Sequence, residues 1–238
     1  MDIGVVNTGG LSTNVSEALV VKRDRIERSR IIEKTEAYIK RGVDIVGALV
    51  GLIALIPITI GIWIANIIAK DNGPIFYNTE RIGKDGKTFK MYKFRSMVVG
   101  ADEKLKEYLN QNPEAKKEYK KYKKLKHDPR ITKVGEFIRK TSLDEFPQFI
   151  NVLKGEMSLV GPRPYLPREK EEMEEHYASI VKCKPGVTGF WQINGRSNTT
   201  FNERLLMDTE YSYTKTLKTD VKILLKTVKH VVTKEGAM

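Results

Sequence analysis

The stretch VDIVGALVGLIALIPITIGIWIANIIA, residues 43–69, decides the fold class of this chain. It contains no lysine or arginine, and Asp44 is its only acid. A helix rises about 1.5 Å per residue, so this stretch is longer than the hydrocarbon core of a bilayer, which is about 30 Å thick. We therefore expect a membrane-embedded helix.

Pro57 lies near the middle of this stretch. A proline inside a helix removes a backbone donor and clashes with the carbonyl four residues earlier, here that of Ile53, so we expect a bend. Basic residues flank both ends of the stretch, whereas a simple span usually has a strong charge asymmetry between its two sides. The pattern leaves open a re-entrant helix that enters and leaves by the cytoplasmic face and a spanning helix with a kink.

The composition of the 238 residues narrows the classes of partner. Lys and Arg number 42 against 30 Asp and Glu, a net charge of +12. This balance indicates nucleic acid, an anionic lipid surface or a phosphorylated small molecule, and charge alone does not choose among them. The single cysteine, Cys183, excludes an internal disulfide, and the three histidines form no spaced metal motif. No signal-peptide pattern begins at Met1, so export is not indicated.

Short strands and charged helices are predicted around the apolar stretch. Residues 1–37 predict a flexible polar tail followed by a solvated or interfacial helix. Two β-prone runs around an Asp-Gly turn, within residues 76–97, predict a hairpin. Residues 101–126 are charged and predict a helix that Pro113 interrupts.

The last third of the chain predicts two helices around a glycine-rich loop. Residues 169–177 form a charged helical pattern, and residues 184–197 read as a glycine-punctuated loop with a short strand. Residues 220–232 place apolar side chains on one helical face, namely Val221, Leu224, Leu225, Val228 and Val232. Such a helix lies on an anionic bilayer or covers the core, and both alternatives stay open.

Two adjacent carboxylates stand between basic clusters in RKTSLDEFPQ (139–148) and GPRP (161–164). A carboxylate nucleophile that attacks phosphorus must be charged, and Asp144 is the candidate. Glu145 suits a hard divalent ion such as Mg²⁺, which favours one or two carboxylates together with substrate phosphates. The candidate phosphate-binding cations are Arg139, Lys140 and Arg163, with Lys93 and Arg95 brought in by the hairpin.

The same acids have a structural alternative. Ser142 and Glu145 could form a capping box, but Pro147 would then clash inside the helix. With Asp144 as the N-cap, Pro147 falls where its missing N–H costs nothing, and we prefer that register. Asp144 is then either a plain cap or a capped nucleophile, and the arginines are either phosphate ligands or surface salt bridges.

Several motifs occur in a recognisable order, which is KRxxD at 40–44, the apolar segment with its central proline, GPxF at 73–76, RxG at 81–83, KFRSM at 93–97, RxxSLDExPQ at 139–148, GPRP at 161–164, PGxTG at 185–189 and Asp220. Together they resemble the bacterial sugar transferase family, the monotopic polyprenyl-phosphate phosphoglycosyl transferases. The resemblance covers roughly residues 38–232. The stretch 101–127 looks longer than in compact members of the family. Without an extra multi-span domain, the sequence resembles the small form of the family.

The resemblance implies an α/β fold, mainly helical and monotopic, with a re-entrant N-terminal membrane helix and a small strand-containing catalytic core. Residues 1–37 would be a flexible or interfacial extension, residues 38–70 the re-entrant helix, and residues 71–238 a membrane-associated catalytic domain on the cytoplasmic face of the bacterial inner membrane. The membrane anchor would comprise Lys40, Arg41, Asp44 and Pro57.

The resemblance also implies a ping-pong reaction. Asp144 would attack the sugar-bearing phosphate of a UDP-sugar and release UMP, and the phosphate of a polyprenol such as undecaprenyl phosphate would then take the phosphosugar. Glu145 would bind Mg²⁺. The phosphate-site cations would be Arg139, Arg163 and Lys93, and the substrate-binding residues would be Arg95, Arg196, Asp220, Pro162 and Pro164.

The implied partners are a UDP-sugar, polyprenyl phosphate and the phospholipid bilayer, without nucleic acid. A homo-oligomer and downstream glycosyltransferases are further expected partners, since the reaction would initiate glycoconjugate or exopolysaccharide synthesis. The competing hypothesis is a non-catalytic, membrane-anchored basic protein that binds anionic polymer or lipid. Acids placed among cations argue against it, because a pure anion binder gains nothing from them.

Overall fold

The structure, a computed structural model, describes the backbone of residues 9–195 and 199–233. Contacts between residues group the chain into two units, Met1–Gly42 and Val43–Met238. Helices dominate the described residues, and two small two-stranded sheets complete them. The prediction of a mainly helical protein with a small strand-containing core is confirmed.

Helix α1 (Gly9–Ile68) is the longest element among the described residues. Residues 9–14, for which the sequence predicts a flexible tail, are helical, so that part of the prediction is wrong. Most side chains at 31–42 are exposed. By length and composition, residues 31–68 form a helix that is able to cross a membrane.

From Asp44 onward, α1 buries one face and exposes the others. The buried positions are three, four or seven residues apart and therefore lie on one face of the helix; they are Asp44, Ala48, Gly51, Leu55, Ile62 and Asn66. Large apolar side chains are exposed on the remaining faces, among them Val46, Val50, Ile53, Ile56, Ile60, Trp63, Ile64 and Ile67. The buried stripe runs along this whole part of α1.

The stripe packs closely against the core. Ala48 belongs to a cluster with Met91 and Val152, and Leu55 and Ile62 belong to a second cluster around Phe94 and Ile138. This packing lies on both sides of Pro57, and α1 remains helical through the proline. Helical structure continues through Pro57 because packing on both sides offsets the local cost of the proline, and the expected bend stays a prediction.

The predicted hairpin is confirmed. Strands β1 (Phe76–Ile82) and β2 (Thr88–Phe94) pair antiparallel, with Phe76 opposite Phe94. Their connection contains Asp85 and Gly86, both with positive φ, of 57° and 76°. Aspartate and glycine tolerate this left-handed conformation, which is why an Asp-Gly pair marks the turn.

The charged segment that follows forms two helices, α2 (Ala101–Gln111) and α3 (Pro113–Tyr122). Pro113 occupies the start of α3, where no backbone donor is needed. The predicted interruption at this proline is confirmed. Helix α4 (Lys133–Lys140) then begins after Thr132, whose hydroxyl accepts a hydrogen bond from the backbone N–H of Gly135 at 2.9 Å.

The acid pair does not cap a helix, so the preferred register was wrong. Asp144 lies in a 3-10 turn, Leu143–Glu145, and the next helix, α5 (Gln148–Lys154), begins four residues after Asp144. Ser142 precedes the turn with a left-handed φ of 57° and makes no capping hydrogen bond, so the capping box is absent there too. The tight turn frees the acid side chains for contacts outside their own segment.

A parallel pair of strands, β3 (Ser158–Val160) and β4 (Gly186–Thr188), forms the second sheet. The remaining elements are two 3-10 turns, Pro167–Glu169 and Glu171–His176, followed by α6 (Tyr177–Ile180), α7 (Phe190–Asn194), α8 (Phe201–Thr214) and α9 (Leu217–Thr233). The continuous helix predicted over 169–177 is wrong, because Glu174 has a non-helical backbone with φ 45°. The short helix α7 was not predicted.

Helix α9 combines the two alternatives that the sequence left open. Asp220 and Ile223 are buried, whereas Val221, Leu225 and Val228 are exposed. The helix therefore covers the core with one face and presents apolar side chains on another. Val232 was predicted to lie on that apolar face, and its side chain is outside the described ones.

Candidate active site

Lys93 joins the hairpin to the acid pair. Its Nζ donates to Oε1 of Glu145 at 2.9 Å and lies 3.6 Å from Oδ2 of Asp144. The Asp144 side chain is 13% exposed, and Glu145 is 38% exposed. One cation of strand β2 thus faces two neighbouring carboxylates in a partly buried site.

Burial and charge shift the pKa values of the two acids in opposite directions. Burial raises the pKa of Asp144, and the neighbouring Glu145 raises it further against the opposing charge of Lys93. Burial also acts to raise the pKa of Glu145, but Lys93, Arg163 and Arg139 outweigh it, so this pKa is lowered. Two adjacent acids with pKa values moved in opposite directions are typical of a site where they have different functions.

Arg139 and Arg163 converge on the acids from different segments. Arg139 lies on α4 and Arg163 follows β3. Both lower the pKa of Glu145 by their charge, and Arg139 also lowers that of Asp144. The predicted phosphate-site cations Arg139, Arg163 and Lys93 therefore all act on the acid pair by charge, and Lys93 contacts it directly. Lys140 instead pairs with Glu136 on the exposed side of α4, at 2.6 Å.

The GPRP loop is held at each of its three last residues. Pro162 accepts a hydrogen bond from the N–H of Gly186 at 2.8 Å, and Pro164 accepts one from Nη1 of Arg81 at 3.0 Å. Between them, the N–H of Arg163 donates to Oδ2 of Asp208 at 3.0 Å. The two prolines thus contribute backbone carbonyls that fix the position of Arg163, and their predicted contact with substrate stays a prediction.

Asp208 was missed by the sequence analysis. Its carboxyl is fully buried on α8 and accepts hydrogen bonds from the Arg163 backbone and, at 2.8 Å, from the hydroxyl of Tyr165. Burial raises its pKa to about 7, against these hydrogen bonds and the charges of Arg163 and Arg204. A lone aspartate inside a helix gives no signal in sequence that it will support an arginine 45 residues away.

Asn151 was missed as well. It is fully buried on α5, where its Oδ1 accepts from the N–H of Tyr92 at 3.0 Å and its Nδ2 donates to the carbonyl of Lys90 at 2.7 Å. These bonds fix strand β2 against α5 beside Lys93. The same Nδ2 also donates to Glu156 at 2.7 Å. Asn151 thereby positions Lys93 relative to the acid turn that precedes α5.

Trp191 connects two arginines near the GPRP loop. The guanidinium carbons of Arg163 and Arg204 lie 5.5 Å and 5.4 Å from the centroid of its indole ring. Such distances allow cation–π attraction, which offsets part of the repulsion between two neighbouring cations. Neither Trp191 nor Arg204 was predicted as a site residue.

Arg95 and Asp220 occupy structural positions. Each nitrogen of the Arg95 guanidinium donates within the fold, to Pro74, Met97 and Asp71. Asp220 is buried and accepts from the Tyr211 hydroxyl at 2.7 Å. These contacts give Arg95 a structural role in residues 71–97, and its predicted contact with substrate stays a prediction.

The predicted anchor residues are placed unequally. Asp44 is buried, and its Oδ1 accepts from the Ser158 hydroxyl at 2.9 Å and from the Leu159 N–H at 2.8 Å, so it ties α1 to β3. Lys40 and Arg41 belong to the other unit of the chain. Arg196, predicted to bind nucleotide or sugar, lies outside the described residues.

The acid pair suits a magnesium ion that completes its coordination shell with substrate phosphates. Among the described residues, no group of three or more His, Cys, Asp or Glu is placed to hold a metal by itself. Mg²⁺ commonly takes one or two carboxylates and completes its shell with water and substrate phosphates. Asp144 and Glu145 supply two carboxylates beside phosphate-binding cations, which suits such an ion.

Curated relatives cover most of this chain. The undecaprenyl-phosphate galactose phosphotransferase of Salmonella typhimurium is 45% identical over 210 residues, which are 88% of this chain and 44% of the relative. The exopolysaccharide production protein ExoY of Sinorhizobium fredii is 40% identical over 198 residues, 83% of this chain and 87% of the relative. The UDP-glucose:undecaprenyl-phosphate glucose-1-phosphate transferase of Escherichia coli is 40% identical over 198 residues, 80% of this chain and 39% of the relative.

The chain thus spans less than half the length of the Salmonella and Escherichia relatives and most of the length of ExoY. The sequence model of bacterial sugar transferases matches residues 35–234. The match includes the hairpin lysine, the acid pair and the GPRP loop, whose side chains meet in the site described above. This chain belongs to the bacterial sugar transferase family.

Proposed function

We propose that this protein transfers a sugar 1-phosphate from a UDP-sugar to a polyprenyl phosphate, such as undecaprenyl phosphate. The observation that carries the proposal is the placement of Lys93 against Asp144 and Glu145, with Arg139 and Arg163 near enough to act on the acids by charge. A nucleophilic carboxylate surrounded by cations suits attack on a phosphate ester. The names of two relatives mention galactose and glucose, so UDP-hexoses are the first donors to test.

In the first step, an Asp144 oxygen attacks the phosphorus that carries the sugar. A bond forms between that oxygen and phosphorus, and the bond from this phosphorus to the bridging oxygen breaks. The electron pair stays on the bridging oxygen, which leaves as part of UMP. Lys93 lowers the pKa of Asp144 against the effect of burial and so favours its charged form, and Arg139 and Arg163 stabilise the negative charge that gathers on the phosphate oxygens.

In the second step, the phosphate of the polyprenol attacks the same phosphorus. The bond between phosphorus and Asp144 breaks, the carboxylate is restored, and a polyprenyl diphosphate sugar is released for enzymes that extend the glycan. When bound at Glu145, Mg²⁺ would neutralise charge on the donor phosphates. Asp144 attacks phosphorus in the first step and leaves it in the second, so Lys93 has to remain beside Asp144 in both steps.

The packing of α1 supports a re-entrant or surface-lying helix over a spanning one. Its buried stripe contacts the catalytic core from Asp44 to Asn66, so a span through the bilayer would carry the core and its charged side chains into the hydrocarbon. The exposed apolar faces of α1 and α9 would enter one leaflet instead. We place the catalytic core on the cytoplasmic face of the bacterial inner membrane.

The direct test is UMP release from a panel of UDP-sugars mixed with polyprenyl phosphate and the purified full chain. We expect UMP with at least one donor and a lipid-linked sugar phosphate in equal amount. Absence of UMP with every donor, together with tight binding to anionic liposomes, would instead favour a non-catalytic membrane-bound anion binder. For topology, a reporter fused after residue 70 should stay on the cytoplasmic side.

A further inference from the structure

Lys124 is fixed beside the site by the end of helix α3. Arg204 donates through Nη2 to the carbonyl of Tyr122 at 2.8 Å, and Lys123 pairs with Glu172 at 2.6 Å. Leu125, on the other side of Lys124, is buried. The two neighbours of Lys124 are thus docked on the core, and the position of its backbone follows from theirs.

Lys124 shares its surroundings with three arginines from other segments. Burial, together with the charges of Arg204, Arg163 and Arg139, lowers its pKa to about 8 against the opposing charge of Glu118. Arg139 and Arg163 are the cations that also act on Glu145. Arg163 and Arg204 lie over the same indole ring, and Arg204 binds the carbonyl of Tyr122, two residues before Lys124. These contacts bring Lys124 towards the cations that act on the acid pair.

Several buried polar atoms in this region have no hydrogen-bond partner among the described residues. They include Nε of Arg163, Nε1 of Trp191, Oε1 of Gln192 and Oδ1 of Asp208. Buried donors without a partner are costly, so those of Arg163 and Trp191 indicate an acceptor that a ligand would supply. A phosphate offers several acceptor oxygens and a negative charge that suits these cations.

The polar character of α3 favours the nucleotide as the source of this phosphate. Among the described residues of α3, no large apolar side chain is exposed, whereas Lys116, Lys117 and Lys120 are. A water-soluble nucleotide approaches such a surface freely, but a polyprenyl phosphate must keep its chain in the bilayer. The segment 101–127, which looked longer than in compact members of the family, thereby supplies a cation to the site.

We propose that Lys124, Arg204 and Trp191 form an anion subsite beside Arg163 that binds the nucleoside monophosphate part of the donor. The proposal rests on the proposed function and assigns the leaving group its place. In the first step, the bridging oxygen leaves with the electron pair of the broken bond, so UMP departs with additional negative charge. The subsite would stabilise that charge while Arg139 remains with the transferred phosphate.

Binding of UMP to the purified full chain in detergent tests the subsite without turnover. We expect Lys124→Ala to weaken UMP binding about tenfold or more, as the loss of one charge-assisted contact implies. Lys124→Arg should keep most of the affinity. Lys120→Ala, which removes an exposed lysine of α3, should bind UMP like the wild type.

A pH series separates a phosphate contact from a structural role. The wild-type affinity for UMP should fall above about pH 8, where Lys124 loses its proton next to Glu118, Arg204, Arg163 and Arg139. Lys124→Arg should show no such fall. Equal pH profiles for the two proteins would contradict the proposal.

The half-reactions identify which phosphate the subsite holds. We expect Lys124→Ala to raise the KM for the UDP-sugar and to leave the KM for polyprenyl phosphate unchanged. Unchanged UMP affinity, or a raised KM for polyprenyl phosphate alone, overturns the proposal. If Lys124→Ala fails to fold, Lys124→Gln replaces it in the same measurements. Wild-type protein that releases no UMP from any donor would refute the proposed function, whereas active wild type with an unaffected Lys124→Ala variant refutes only the subsite.

Discussion

The Nζ of Lys93 donates to Oε1 of Glu145 at 2.9 Å and lies 3.6 Å from Oδ2 of Asp144, although 50 or more residues separate the lysine from the acids. A strand of the hairpin and a 3-10 turn are thereby joined by one cation and two carboxylates. The contact gives the acid pair its electrostatic character, because Lys93 lowers the pKa of both carboxyls.

Replacement of Lys93 should greatly lower the rate of UMP release without unfolding the protein. Lys93→Met keeps the aliphatic stem but leaves both carboxylates without their nearest cation, so we expect a loss of about 100-fold or more in the rate of UMP release. Lys93→Arg should retain part of it. Single-turnover UMP release measures the effect, and a Lys93→Met rate within about threefold of the wild type would contradict this role.

Asn151 offers a test of positioning by a buried amide. Asn151→Leu removes the partners of the Tyr92 N–H and the Lys90 carbonyl, which are part-buried, and an unpaired buried group costs about 1–3 kcal/mol. We expect a lower unfolding free energy in denaturant titrations together with slower UMP release. Asn110→Ala, at an exposed position of α2, should change neither quantity.

The close packing of α1 is testable with a pair of glycines. A Cβ at Gly51 would lie 2.3 Å from the Phe149 ring, whereas a Cβ at Gly61 would have no atom within 4 Å. We expect Gly51→Ala to lower the thermal unfolding temperature and activity. Gly61→Ala should be neutral or slightly stabilising, since alanine is the better helix former. Equal effects of the two changes would argue against the docking of α1 on α5.

Asp208 should impose a pH dependence on stability. Its pKa rises from the ordinary 3.8 to about 7 on folding, so the folded protein holds a proton that the unfolded chain has released between these values. Stability due to this group is therefore lost as pH rises through about 7. Unfolding free energies measured across this range should fall with pH in the wild type and fall less steeply in Asp208→Asn. Parallel slopes would show that the group does not titrate in this way.

Chelation tests the proposed magnesium ion. If Glu145 binds Mg²⁺ together with the donor phosphates, excess EDTA should abolish UMP release and added Mg²⁺ should restore it. Glu145→Gln should need more Mg²⁺ for half of its maximal rate. Full activity of the wild type in excess EDTA would remove this function from Glu145.

Local signals predicted the elements but not the contacts that build the site. The Asp-Gly turn and Pro113 fix their own backbone, so the hairpin and the break between α2 and α3 could be read from the sequence. The N-cap at Asp144 failed because the left-handed Ser142 starts a 3-10 turn, a choice set by packing around it. Helical structure continues through Pro57, since both halves of its helix are docked.

The supporting residues needed three-dimensional information. Asp208, Asn151 and Arg204 make their contacts across 45, 61 and 82 residues, and none lies in a spaced motif that carries a chemical signal. The acids and the cations were candidates because two adjacent carboxylates lie between basic clusters, in the motif order of the family, and their functions stay predictions. Their convergence was not predictable.

Intact-mass analysis of the full chain with a UDP-sugar alone tests the central claim most directly. The wild type should gain the mass of one sugar phosphate and release one UMP per chain, and Asp144→Asn should gain none. An adduct on Asp144→Asn, or turnover by the wild type without any adduct in the absence of acceptor, would contradict a covalent intermediate on Asp144.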